Sequence, residues 1–271
     1  MAKSVMTLLA LLRSNFTLAL ASILAVAEVA AAEPRLNEIQ VIGTHNSYHI
    51  APHDSILRLI AEKNPGGAAS LNYTHRPLPE QFDRGIRQVE LDIYNDPKGG
   101  LFADPKGNQA AAARGWSFGA NYDPHDERTK PGFQILHIPD IDFRATVLTL
   151  RAGLTQIRDW SRLHPRHLPI FILLELKDET VSRDFAQPIP FDAAALDALD
   201  AGIRSVFNTS ELILPDTVRG GSATLPEAIR TRGWPTLAES RGKVLFGLDN
   251  EGEVRNLYLQ GHPALQGRVM F

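Results

Sequence analysis

Glu90 and Asp92 are separated by one residue inside the apolar run from Ile86 to Ile93. In a strand, residues two apart share a face, so both carboxylates point to one side while Leu91 packs on the other. Two crowded carboxylates repel, and one keeps its proton unless a cation lies between them. Asn46 adds an amide oxygen and Glu175 a third carboxylate. Such an all-oxygen set suits Ca2+ or Mg2+ rather than zinc. His45 and His137 stand just past two further apolar runs. Two imidazoles near a hard cation suit phosphoryl transfer, one taking the proton of the attacking hydroxyl and the other giving one to the leaving oxygen. The cation would offset charge on the phosphate and lower the pKa of the hydroxyl.

These residues need elements that bring them together. Short apolar runs predict strands at Glu38 to Ile42, Ile86 to Ile93, Phe133 to Leu136, Ile170 to Leu174, Val244 to Leu248 and Arg268 to Phe271. Helical spacing of Val147, Leu150, Leu154, Ile157 and Trp160 predicts a helix over 145–161, with Pro165 beyond its end. Leu196, Leu199, Ile203 and Val206 mark a second helix, and Leu78 to Arg84, closed by Gly85, a short one. Asn95 to Gly132 reads as a long loop rich in Gly, Pro, Asp and Asn, a length that is usually functional. Strands alternating with helices give βα units and a parallel sheet, hence an α/β fold of the TIM-like (β/α) barrel type. Four successive strands then deliver acids or histidines to one rim, where barrels gather catalytic groups. Six strands fall short of eight, and the sequence stops in an apolar run, so the barrel is expected to lack its last strands here.

Composition narrows the class. The chain has 271 residues, 44% of them apolar, enough for one domain with a full core. It contains no Cys, which removes disulfides, zinc–thiolate sites, thiol nucleophiles and lipoprotein anchoring. Lys3 and Arg13, the apolar stretch from Phe16 to Ala27 and the small residues Ala30-Ala31-Ala32 read as a secretory signal over 1–32, so the protein is expected to be secreted or periplasmic as a single domain over 33–271. Its removal takes away two positive charges and one negative, shifting the net charge from −3 to −4. A mildly acidic chain without Lys/Arg blocks offers no electrostatic case for nucleic acid or for anionic lipid. Nothing in the sequence specifies an oligomeric state.

Four segments carry a family likeness: Gly43-Thr44-His45-Asn46-Ser47-Tyr48, Val89-Glu90-Leu91-Asp92-Ile93-Tyr94, Ile135-Leu136-His137-Ile138-Pro139-Asp140-Ile141-Asp142, and Pro169 to Asp178. In order and position they resemble the Ca2+-dependent phosphoinositide phospholipase C family, above all its bacterial secreted branch, from about Asn37 to Phe271. The resemblance implies a TIM-like barrel and attack of the inositol 2-hydroxyl on the phosphodiester, with release of diacylglycerol and a cyclic inositol phosphate. It implies catalytic roles for His45 and His137, with acid and base not yet apportioned, and Ca2+ ligation by Asn46, Glu90, Asp92 and Glu175. The implied partners are a phospholipid or inositol phosphodiester and, transiently, a membrane surface. The family continues through two further strands past Phe271, and the stretch between Asp92 and His137 is longer than in its eukaryotic members.

Two other functions fit parts of this pattern. A glycerophosphodiester phosphodiesterase or sphingomyelinase D-like enzyme also uses two histidines and an acidic cation site, but at other positions along the barrel. A secreted binding barrel would keep the fold without turnover. The remaining histidines, His49 and His53 included, read as structural or solvent-facing, and Lys177 as a phosphate contact, a helix start or a surface lysine. Asp140 and Asp142 read as loop and cap residues, and Phe102, Trp116 and Tyr122 as loop packing in preference to contacts with a membrane surface. No GxSxG, HExxH, P-loop or dinucleotide fingerprint is present.

Overall fold

Val89, Leu91 and Ile93 alternate with Glu90 and Asp92, and the alternation sets how the chain lies in space. The computed structural model describes residues 33–271, so the signal segment expected over 1–32 lies outside the described residues. Strands β1 (Gln88–Asp96), β2 (Gly132–Ile135), β3 (Ile170–Leu176) and β4 (Val244–Leu248) form one sheet in the order β2-β1-β3-β4. β1, β3 and β4 are parallel, and the odd residues of β1 pack with Ile170, Ile172 and Leu174 of β3 in the main core. The helices Leu150–Leu163 and Ala193–Val206 cover that face through Leu154, Ile157, Leu196, Leu199 and Ile203. Full burial of each such side chain contributes about 1.5–3 kcal/mol. The result is an incomplete TIM-like barrel.

The structure departs from the expected strand pattern in three places. β2 runs antiparallel to β1, with Ile93 opposite Ile135 and Asp96 opposite Gly132. The reversal starts at Asp96, whose carboxylate accepts from the Gly99 and Leu101 amides and turns the chain back. The expected first strand is instead a 3-10 turn at Leu36–Glu38 followed by a single parallel bridge from Gly43 to Gln88. A ladder cannot continue there, because Asn46 is left-handed at φ 47° and the Ser47 hydroxyl, not a backbone carbonyl, takes the Glu90 amide. The expected sixth strand is likewise one bridge, Met270 to Phe246.

Helix boundaries shift for local reasons. The 145–161 helix starts at Leu150 because the Thr149 hydroxyl caps the Ala152 amide, which leaves the buried Val147 in the preceding segment. The long loop holds a helix of its own, Lys106–Ala113. Its first amide, that of Lys106, donates to the Asp140 carboxylate, which also accepts from the Ala186 amide. Asp140 thus ties two loops together, the structural part foreseen for it. Phe102 packs against Tyr94 in a second core cluster, and the Tyr122 hydroxyl donates to the Phe102 carbonyl, so these aromatics do pack the loop. Among the described residues no helix is long and apolar enough to cross a membrane.

Candidate active site and metal centre

The parallel register of β1 and β3 sets Asp92 opposite Glu175 and Glu90 opposite Leu173. Asp92 and Glu175 therefore stand side by side on the sheet face away from the main core, with Glu90 on the same face. Carboxylate oxygens from all three lie within 4.8 Å of one another. Glu90 is 3% exposed and Asp92 fully buried. Neither Asp92 oxygen, nor Glu90 Oε1, has a hydrogen-bond partner. Buried anionic oxygens without partners are costly, and the ordinary remedies are a proton or a cation. Burial above all, and then the neighbouring Glu90 carboxylate, push the Asp92 pKa well above the usual carboxylate range. These orphaned oxygens fit a hard divalent cation, for which carboxylates are the preferred donors.

Lys177 follows on the same face. Its Nζ lies 2.8 Å from Glu175 Oε1 and 3.4 Å from Asp92 Oδ2. Burial works against its charge, but Asp92 and then Glu175 more than offset this and raise its pKa. Lys177 is thus neither a helix start nor a free surface lysine.

Asn46 meets the cluster through its backbone. Its amide donates to Glu90 Oε2, a contact made possible by the left-handed turn. Its side-chain oxygen accepts from the Tyr48 hydroxyl at 3.1 Å, and its Nδ2 donates to the Tyr73 hydroxyl at 3.2 Å. Gly43 permits the approach of this segment to β1, since a Cβ there would come 1.7 Å from the Gln88 side-chain oxygen. His45 projects outward, its side chain 79% exposed, with Nε2 3.9 Å from Glu90 Oε2.

His137 reaches the same region by another route. The antiparallel run of β2 carries the chain back along β1, where the Tyr94 hydroxyl donates to the His137 carbonyl. Tyr94 shares a strand face with Asp92, two residues away. His137 Nδ1 lies 2.7 Å from Asp142 Oδ2, and His49 Nε2 lies 2.8 Å from Asp142 Oδ1. The other His49 nitrogen faces the Tyr73 carbonyl at 3.0 Å, and the His49 ring stacks on Tyr73 at 4.2 Å. A continuous path therefore runs from Glu90 through Asn46, Tyr73, His49 and Asp142 to His137. Burial opposes the Asp142 charge, yet the hydrogen bonds from His137 and His49 hold its pKa below the usual value.

The structure thus gathers Glu90, Asp92 and Glu175, sets His45 and Asn46 at their edge, and joins His137 to them through side chains the sequence analysis passed over. Asp142 is no mere cap, and His49 is fully buried rather than solvent-facing. The signal that could have found Asp142 is its place five residues after His137, where a tight turn through the left-handed Asp140 folds it back.

The model of the family described as phosphoinositide phospholipase C, Ca2+-dependent, matches residues 34–271. The chain belongs to that family. A Ca2+-dependent phosphoinositol-specific phospholipase C from a Pseudomonas species, in its myoinositol complex, shares this family's fold with the chain at 18% identity and a TM-score of 0.52, over 89% of this chain and 66% of that one. A Ca2+-dependent phosphatidylinositol-specific phospholipase C from Streptomyces antibioticus is similar at 23% identity, over 85% of this chain and 64% of that one, with a TM-score of 0.47. The chain therefore spans about two thirds of the length of the solved structures it matches. No curated protein matches it.

Proposed function

We propose that this protein is a Ca2+-dependent phosphodiesterase that cleaves phosphatidylinositol or a related inositol phosphodiester. The observation that carries the reading is the buried trio Glu90, Asp92 and Glu175 with orphaned oxygens, with His45 Nε2 3.9 Å from Glu90 and His137 held by Asp142. Family membership supports it. Glu90, Asp92 and Glu175 would hold the cation, with the Asn46 side-chain oxygen as a fourth donor once it exchanges the Tyr48 hydroxyl for the metal. Bound there, Ca2+ would supply positive charge to the phosphate and acidify the attacking hydroxyl.

The protein's own residues would move the protons. Asp142 accepts the Nδ1 proton of His137, which leaves His137 Nε2 as the atom that takes or gives a proton. His45, open to solvent beside Glu90, serves at the other oxygen of the scissile phosphodiester. The inositol 2-hydroxyl loses its proton to one imidazole as its oxygen bonds to phosphorus. The bond from phosphorus to the glycerol oxygen breaks, and that oxygen takes a proton from the other imidazole. The products are a cyclic inositol phosphate and diacylglycerol.

A lipid substrate implies brief contact with a membrane surface, and the pattern of residues 1–32 supports export from the cytoplasm. The test is release of cyclic inositol phosphate from phosphatidylinositol with Ca2+ and with a chelator. Equal release in both removes the metal from the reading. Turnover of glycerophosphocholine or sphingomyelin, with none of phosphatidylinositol, moves the substrate to another phosphodiester class.

A further inference from the structure

We propose that Lys177 is an internal counter-ion of the carboxylate cluster, one that an incoming divalent cation must displace, so that this residue sets the cation affinity of the site. The inference rests on the reading of Glu90, Asp92 and Glu175 as that cation's site. The Lys177 amide donates to the Ile93 carbonyl at 2.9 Å, which anchors its backbone at the end of β3 beside β1. From there the side chain turns back to Glu175 and Asp92, at 2.8 and 3.4 Å.

Three carboxylates and one ammonium leave the cluster short of charge balance, and the ammonium covers two of the three. An ammonium carries donors only, so on Glu175 it occupies a lone pair that a metal would use, and at 3.4 Å it faces Asp92 as a charge. A divalent cation entering beside it meets a positive charge at close range in a partly desolvated site. The ammonium therefore has to withdraw. A four-carbon stem permits this, and the Lys177 side chain is 23% exposed, with solvent on one side to receive it. Its departure is a cost subtracted from every binding event, and a site with the lysine removed does not bear it.

The experiment is calorimetric titration of CaCl2 into the full chain and its Lys177→Met and Lys177→Gln variants, with melting temperatures taken in chelator and in saturating Ca2+. The expected result is a Kd about tenfold lower in both variants. Their melting temperatures should fall below wild type in chelator and meet it in Ca2+. Binding by a variant where wild type shows none also supports the proposal. An unchanged or higher Kd in both variants overturns it. A lysine with a structural part alone would lower the melting temperature in both conditions without tightening binding. Asp92→Asn separates the two readings. If it leaves Ca2+ binding intact, the cation site itself is misplaced. If it abolishes binding while the Lys177 variants leave Kd unchanged, the counter-ion inference alone fails.

Discussion

His137 and His49 share a single carboxylate, that of Asp142, with Nδ1 of one and Nε2 of the other at 2.7 and 2.8 Å. Asp142 is fully buried. An amide in its place would present an N–H to one of the two rings, and that ring would have to turn its lone pair inward. For His137 this moves the proton from Nδ1 to Nε2 and spoils the atom left free for chemistry. Asp142→Asn should therefore lower kcat for phosphatidylinositol by about two to four orders of magnitude, the scale of losing general acid–base catalysis. A measured kcat near wild type, with the same pH profile, would show that Asp142 does not hold the catalytic tautomer.

His45 and His137 should respond differently in stability and alike in turnover. His45 is exposed, so His45→Ala should change folding stability by less than about 0.5 kcal/mol. His137→Ala removes a partner from the buried Asp142 and should cost about 1–3 kcal/mol. Each should lose several orders of magnitude in the release of cyclic inositol phosphate. Denaturant unfolding beside a turnover assay checks both, and a fully active variant removes that histidine from the mechanism.

Much of this site was readable from residue type and period. The alternation around Glu90 and Asp92 announced two carboxylates on one face, and the apolar runs at Ile170 and Val244 announced the strands beside it. Strand direction was not readable, because a run such as Phe133 to Leu136 buries equally well either way. The turn that ends β1 is made by the Asp96 carboxylate, a side-chain event at the edge of a stretch that reads as loop. The parts played by His49 and Asp142 arise from a pairing across 93 positions, which no local pattern encodes. Short helices such as Pro215–Arg219 and Leu237–Ser240 span too few turns to show a period.

Arg128 is a fully buried guanidinium inside the long loop. It donates to the carbonyls of Leu148, Ile135 and Phe143, which pins the loop to β2 and to the segment leading out of Asp142. Burial lowers its pKa to about 10, still far enough above neutrality for the group to stay charged. Arg128→Ala would remove the guanidinium donors from those carbonyls, of which Leu148 keeps the Ile135 amide. The expected loss is about 1–3 kcal/mol of stability, together with faster proteolytic cleavage within 97–131. An unchanged melting temperature would show that the loop is held by other contacts.

Asp92 should make the cation-free protein less stable as pH rises. Its pKa in the fold lies above its unfolded value, because burial and Glu90 disfavour the charged form. The folded state therefore binds more protons than the unfolded chain in the interval between the two values, and stability falls with pH across it. The contribution is whole below the ordinary carboxylate value of 3.8 and is lost as pH climbs toward the raised one. Asp92→Asn removes the charge, so in chelator at neutral pH it should be more stable than wild type by about 1–3 kcal/mol and should flatten the pH slope. Saturating Ca2+ should reverse the order, since wild type gains the binding free energy and the variant does not. Melting curves from pH 5 to pH 9, in chelator and in Ca2+, read both effects. Parallel pH slopes for wild type and variant in chelator would mean that Asp92 is not the group that resists ionisation in the empty site.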